Sequence, residues 1–146
     1  AEGLKQLHVA YELDAQQEQR MRDILGKFKQ DFNDLPQSER GQIVNGFETG
    51  LSKVMPTRQR AITTEKAWID SLDEIYTYAQ SHHSDISMSN GRLVISSNPV
   101  REEFNIHIRA MNARRAEFVQ AKDAFDKMQA QSINRMGVSR EQTGLH

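Results

Sequence analysis

Apolar residues recur every three or four positions along most of this chain, and that period predicts amphipathic helices. Met21, Ile24, Leu25, Phe28, Phe32 and Leu35 trace the first apolar face. Asp14 is placed to cap its start, and Gln17, three residues on, completes a capping-box-like pair. Pro36 ends the helix, because the residue before a proline is pushed out of the α region. Residues 1–12 are weakly patterned, with Leu4, Leu7 and Tyr11 at helical spacing, and are expected as a short helix or a loose arm.

Ser38 is placed to cap a second, shorter helix whose face is Ile43, Val44, Phe47, Leu51 and Val54. Gly41, Gly46 and Gly50 weaken it, and Asn45-Gly46 is a turn signal at which it could break. Gly46 and Gly50 share a face, so close approach of a neighbouring helix would offset that weakness. Pro56 opens a third helix, whose stripe is Ile62, Trp68, Ile69, Leu72, Ile75, Tyr76 and Ala79.

The period then changes. Asp85 to Ser89 alternates, Asn90-Gly91 follows, and Arg92 to Ser96 carries on. Asn-Gly between alternating runs predicts a two-residue hairpin, since both turn positions need positive φ. Met88 then faces Leu93 and Ile86 faces Ile95, and this apolar face is expected to lie against the helices. Asn98-Pro99 reads as a cap and first turn, opening a last helix that runs to about Arg135. Phe104, Met111, Phe118 and Phe125 stand seven apart on it, joined by Ile108, Ala121 and Met128. Gly137 is expected to stop that helix, leaving residues 138–146 as a frayed tail. The expected fold is one helical domain over residues 1–146, a four-helix, mostly antiparallel bundle with a β-hairpin at about 85–96 before the long last helix.

Composition narrows the function classes. With 19 basic and 20 acidic residues, the chain lacks the basic excess that phosphate neutralisation demands, and nucleic acid is not an expected partner. Cysteine is absent, which removes disulfides, thiolate metal sites and cysteine nucleophiles together. No apolar run approaches the length of a membrane span.

Several clusters could carry chemistry, and each has a plainer account. His82-His83 with Asp85 could offer ligands to a divalent metal, but adjacent residues diverge, and solvated histidines suit a helix C-terminus. Glu103 and His107 share a helix face, yet neither the Glu-x-x-His spacing nor copies on other helices accompany them. Asp70, Asp73 and Glu74 alternate with the apolar stripe and so are expected on the solvated side. Ser38, Ser71 and Ser87 sit in no nucleophile motif, and Gly41 and Gly46 form half of a phosphate loop without its lysine. Trp68, Tyr76, Tyr78 and Phe47 could line a ligand pocket, although aromatics at helical spacing usually belong to the core. Catalytic, cofactor-binding and metal-binding residues are therefore expected to be none.

From Trp68 onward the chain resembles the YiaF-like bacterial lipoproteins, a family of unknown function. The residues carrying this are Trp68, Leu72, Ile75 and Tyr78, Ile86-Ser87-Met88 with Asn90-Gly91, then Glu103-Phe104-Asn105, Ile108, Met111, Phe118, Gln120 and Ala121. Leu13-Asp14-Ala15 and Gln17 add a weaker echo, while Ser96-Ser97-Asn98-Pro99 replaces a differently spaced connection. The resemblance implies a periplasmic or outer-membrane-anchored protein, held by a lipidated cysteine upstream of this sequence, and offers no catalytic residues. The expected function is thus a non-catalytic cell-envelope accessory protein that meets a protein partner or a second copy. The alternative is a small-ligand-binding helical module with an apolar pocket near Trp68 and Tyr76, and an enzyme using His82, His83, Glu103 and His107 comes third.

Overall fold

In the computed structural model, which describes residues 2–135 apart from the side chains of Glu18 and residues 133–135, three helices flank one hairpin. In chain order these are α1 (Glu2–Asp31), α2 (Gln37–Ser81), β1 (Ile86–Ser89), β2 (Arg92–Ile95) and α3 (Asn98–Arg135). The chain is mainly helical with a hairpin ahead of a long last helix, but the described residues hold three helices where the sequence pattern predicts four. The expected stop at Gly137 and the tail lie outside the described residues.

Two expected boundaries are absent, for the same physical reason. Asp14 caps nothing, because α1 already starts at Glu2 and runs through it. The supposed arm is helical because Leu4 and Leu7 continue the apolar face and find Leu72, Ile75 and Phe104 to pack beside. Likewise α2 runs unbroken through Gly41, Gly46, Gly50 and Pro56. Each glycine costs about 1 kcal/mol relative to alanine and an interior proline about 3, which argues locally for a break. The helix continues because Val44, Leu51, Val54 and Ile62 keep the apolar face in step on both sides of Pro56, which is itself exposed. The carbonyl of Ser52, freed by the missing proline N–H, belongs to an exposed residue and is open to water.

Helix ends are shifted by a residue or two from their sequence signals. The amides of Glu39 and Arg40 both donate to the Pro36 carbonyl at 3.0 Å, so Ser38 stands inside the first turn of α2. The Arg101 amide donates to Ser97 O at 3.0 Å, making Ser97 rather than Asn98 the residue that opens α3.

The hairpin forms as the Asn-Gly pair dictates. Asn90 and Gly91 adopt φ of 49° and 73°, and Ile86 pairs with Ile95, Ser87 with Val94, Met88 with Leu93 and Ser89 with Arg92. Its base is fixed by the Ser96 amide donating to Asp85 O at 2.9 Å and by the Arg101 guanidinium donating to Ile95 O at 3.0 Å. Only the basal pair, Ile86 and Ile95, is half-buried; Met88 is 67 % exposed and Leu93 46 %. The expectation that all four lie against the helices fails at the tip, where four-residue strands carry the outer pair away from its support.

The chain divides into two compact units, each built from segments of all three helices. The first comprises Ala1–Tyr11 and Thr63–Val119 and includes the hairpin. Within it Trp68 stacks on Phe118 at 5.6 Å and Tyr78 lies 6.4 Å from Phe104, so α2 and α3 run antiparallel. Ile69, Val100 and Phe104 are buried there. The second unit comprises Glu12–Ile62 and Gln120–His146. Phe28 stacks on Phe47 and meets Phe32 edge-on, both at 4.6 Å, and Lys29 pairs with Glu48, joining α1 to α2. Ile62 and Ala121 are its buried apolar residues among those described.

Candidate functional site

The end of α2 beside the hairpin gathers a set of polar and aromatic side chains. Tyr78 sits at its centre, half-buried, with its ring stacked on His82 at 4.2 Å and inclined to His107 at 5.0 Å. Its hydroxyl lies 3.2 Å from Glu103 Oε2 and 3.4 Å from the Val100 carbonyl. One O–H cannot fully satisfy both acceptors, so the single proton is shared between them. Burial, reinforced by the Glu103 carboxylate, pushes the phenol above its ordinary value of 10.0. Tyr78 therefore remains a neutral donor that clamps α3 to α2.

The two neighbouring histidines are helix caps. His82 Nδ1 lies 3.0 Å from Tyr78 O, and His83 Nδ1 lies 3.1 Å from Gln80 O. Both rings thus reach carbonyls of the last turn, and that of Tyr78 also accepts from the His82 amide at 3.1 Å and the Ser81 hydroxyl at 2.9 Å. His82 is packed against Tyr78 while His83 is exposed, so the adjacent pair diverges. Asp85 is taken up by Ser84 and Ser96 at 3.4 and 3.2 Å. Glu103 and His107 both reach Tyr78, one at its hydroxyl and the other at its ring.

Asp70, Asp73 and Glu74 do not simply face water. With Thr77, Tyr78 and His107 they line a groove of about 670 Å³. Each carboxylate has a cation or imidazole beside it: Lys66 at 2.7 Å from Asp70, His8 at 2.7 Å from Asp73, and Arg114 at 3.4 Å from Glu74. The hydrogen bond and charge of Asp70 raise the Lys66 ammonium above its usual 10.5. Two of these pairs join different helices. They were invisible in the sequence because their members stand 65 and 40 residues apart, and only the meeting of α1 and α3 with α2 brings them together.

A second groove, of about 400 Å³, is apolar. Leu4 and Leu7 of α1, Leu72, Ile75 and Tyr76 of α2, and Phe104 of α3 border it. Tyr76 is 41 % exposed there, and its hydroxyl accepts from Gln80 at 3.1 Å. Trp68 is not part of this groove but stacks on Phe118, so the two aromatics paired in the sequence reading lie in different surroundings. Trp68 Nε1 is buried without a hydrogen-bond partner. Phe47 stacks on Phe28 in the second unit.

Chemically, the arrangement braces one helix against another. Among the described residues no three His, Asp or Glu side chains converge as metal ligands, and no nucleophile stands beside a base oriented by a third group. Ser71, the most buried serine among the described residues, returns its hydroxyl to Trp68 O on its own helix. Among the described residues no helix is long and apolar enough to cross a membrane. No family model matches the chain, and no curated protein or solved structure gives a significant match.

Proposed function

We propose that this protein is a non-catalytic interaction module of the bacterial cell envelope whose first unit receives an apolar segment of a partner protein. The observation that carries the reading is the groove bordered by Leu4, Leu7, Leu72, Ile75, Tyr76 and Phe104. Tyr76 is exposed in it, Leu4, Leu7, Leu72 and Ile75 are half-buried and Phe104 is buried, whereas the carboxylates of the neighbouring polar groove are already paired within the chain. A partly exposed apolar groove beside internally satisfied polar groups suits the insertion of a partner's side chains better than acid–base work. Placement in the envelope rests on the resemblance of residues from Trp68 onward to the YiaF-like lipoproteins.

A photo-activated cross-linker at Tyr76, introduced into the full-length protein in its native cells, tests this. A discrete adduct in the envelope fraction, lost on Leu72→Asp and absent when the cross-linker replaces exposed Arg109, is the expected result. Adducts that are equally abundant from both positions, or a protein recovered only in the soluble cytosolic fraction, overturn it.

A second reading keeps the same groove but fills it with a small apolar ligand. Its volume of about 400 Å³ falls within the usual range for such sites, and Tyr76 lines it. Native mass spectrometry of the purified protein separates the two: a co-purifying small molecule, displaced by Leu72→Asp, favours the ligand.

A further inference from the structure

We infer that the second unit forms a two-fold dimer in which α2 of one copy lies antiparallel across α2 of another, crossing at Gly46. The surface is an apolar groove of about 530 Å³ bordered by Phe28, Ile43, Phe47, Leu51 and Val54, with Gly46 and Gly50 along its floor. Ile43 and Phe47 are each 38 % exposed. A Cβ built on Gly46 or Gly50 meets nothing within 4 Å, so none of the described residues uses the close approach those glycines allow.

The charge pattern selects the occupant. Glu39, Gly46 and Lys53 stand seven apart on one line of α2, and Glu39 and Lys53 are both exposed with no ion-pair partner among the described residues. Each lies seven residues from Gly46, or about 10 Å along the axis. An antiparallel copy crossing at Gly46 therefore sets Glu39 opposite the second copy's Lys53, and Lys53 opposite the second copy's Glu39. The same crossing sets Gly50 against Gln42, leaving a small residue wherever the backbones approach. A surface that becomes its own complement under a two-fold rotation fits a second copy of itself. A parallel copy in the same register would set Glu39 against Glu39 and Lys53 against Lys53.

Sedimentation equilibrium of the full chain, from low micromolar to near-millimolar concentration, tests this. A monomer–dimer equilibrium is expected for the unaltered protein. Gly46→Leu should abolish it while helix content is kept or raised, since leucine is the better helix former, so unfolding cannot mimic the result. Glu39→Lys and Lys53→Glu should each weaken the dimer by about two- to thirty-fold through the two symmetric pairs, and the double exchange should restore it. A monomer at every concentration overturns the inference, whatever else covers the groove. So does a dimer that is indifferent to Gly46→Leu and to both charge reversals.

Discussion

The hydroxyl of Tyr78 on α2 lies 3.2 Å from the carboxylate of Glu103 on α3, and the tyrosine ring contacts both His82 and His107. Burial and this carboxylate both favour the neutral phenol, so its ionisation is shifted upward from 10.0. A group whose folded-state value is raised stabilises the fold below the unfolded value and loses that contribution as pH rises through the folded one. Stability contributed by Tyr78 is thus constant at neutral pH and disappears in the alkaline range beyond the ordinary tyrosine ionisation. Ultraviolet titration of the phenolate band checks this: the part of the band lost on Tyr78→Phe should be the part that rises above the ordinary value of 10.0. Glu103→Gln should lower that value only in part, because burial, the larger cause, remains.

Trp68 and Phe118 stack at 5.6 Å with nearly parallel rings, and Trp68 is the chain's one tryptophan. A fully buried phenylalanine cut to alanine costs about 3–5 kcal/mol. Phe118 is only half-buried, so Phe118→Ala should cost less, about 2–3 kcal/mol. A lower urea midpoint with an unchanged slope, together with a red shift of Trp68 emission, is the expected outcome.

Because the His82 and His83 rings lie against last-turn carbonyls and diverge from one another, they are not expected to act together as a metal clamp. Excess Zn²⁺ or Ni²⁺ should leave Tm unchanged. Any site filled at a hundred times its Kd would add about 2.7 kcal/mol and a plain rise. His82→Ala should lower Tm more than His83→Ala, since only His82 also stacks on Tyr78.

Pro56 stands inside the unbroken α2 on an exposed position, where it withholds the amide that would bond the Ser52 carbonyl. Pro56→Ala should stabilise the protein by about 1–2 kcal/mol, the helix gain of about 3 being offset by the freer unfolded chain. Gly91→Ala should act in the opposite direction, because φ of 73° suits glycine and costs alanine about 1–2 kcal/mol. Thermal unfolding of the two variants checks the opposite signs.

Local chemistry alone determined the hairpin and the long last helix. Asn90-Gly91 admits the positive φ that its turn needs, and Phe104, Met111, Phe118 and Phe125 keep one face of α3 apolar whatever surrounds it. The divergence of His82 and His83 was also legible, since it follows from adjacency at a helix end. Tertiary structure decided the rest. Asp14, Gly46 and Pro56 are real local signals for a boundary, but each is worth only about 1–3 kcal/mol. Apolar faces that remain in step across such points outweigh them, as Leu4 and Leu7 do beside Leu72 and Ile75. The pairing of His8 with Asp73 and of Arg114 with Glu74 left no trace in the sequence, because nothing local relates residues that meet only when separate helices pack. The exposure of Met88 and Leu93 was equally hidden: alternation places them on one face of the hairpin, but the reach of the hairpin past its supports decides whether that face is covered.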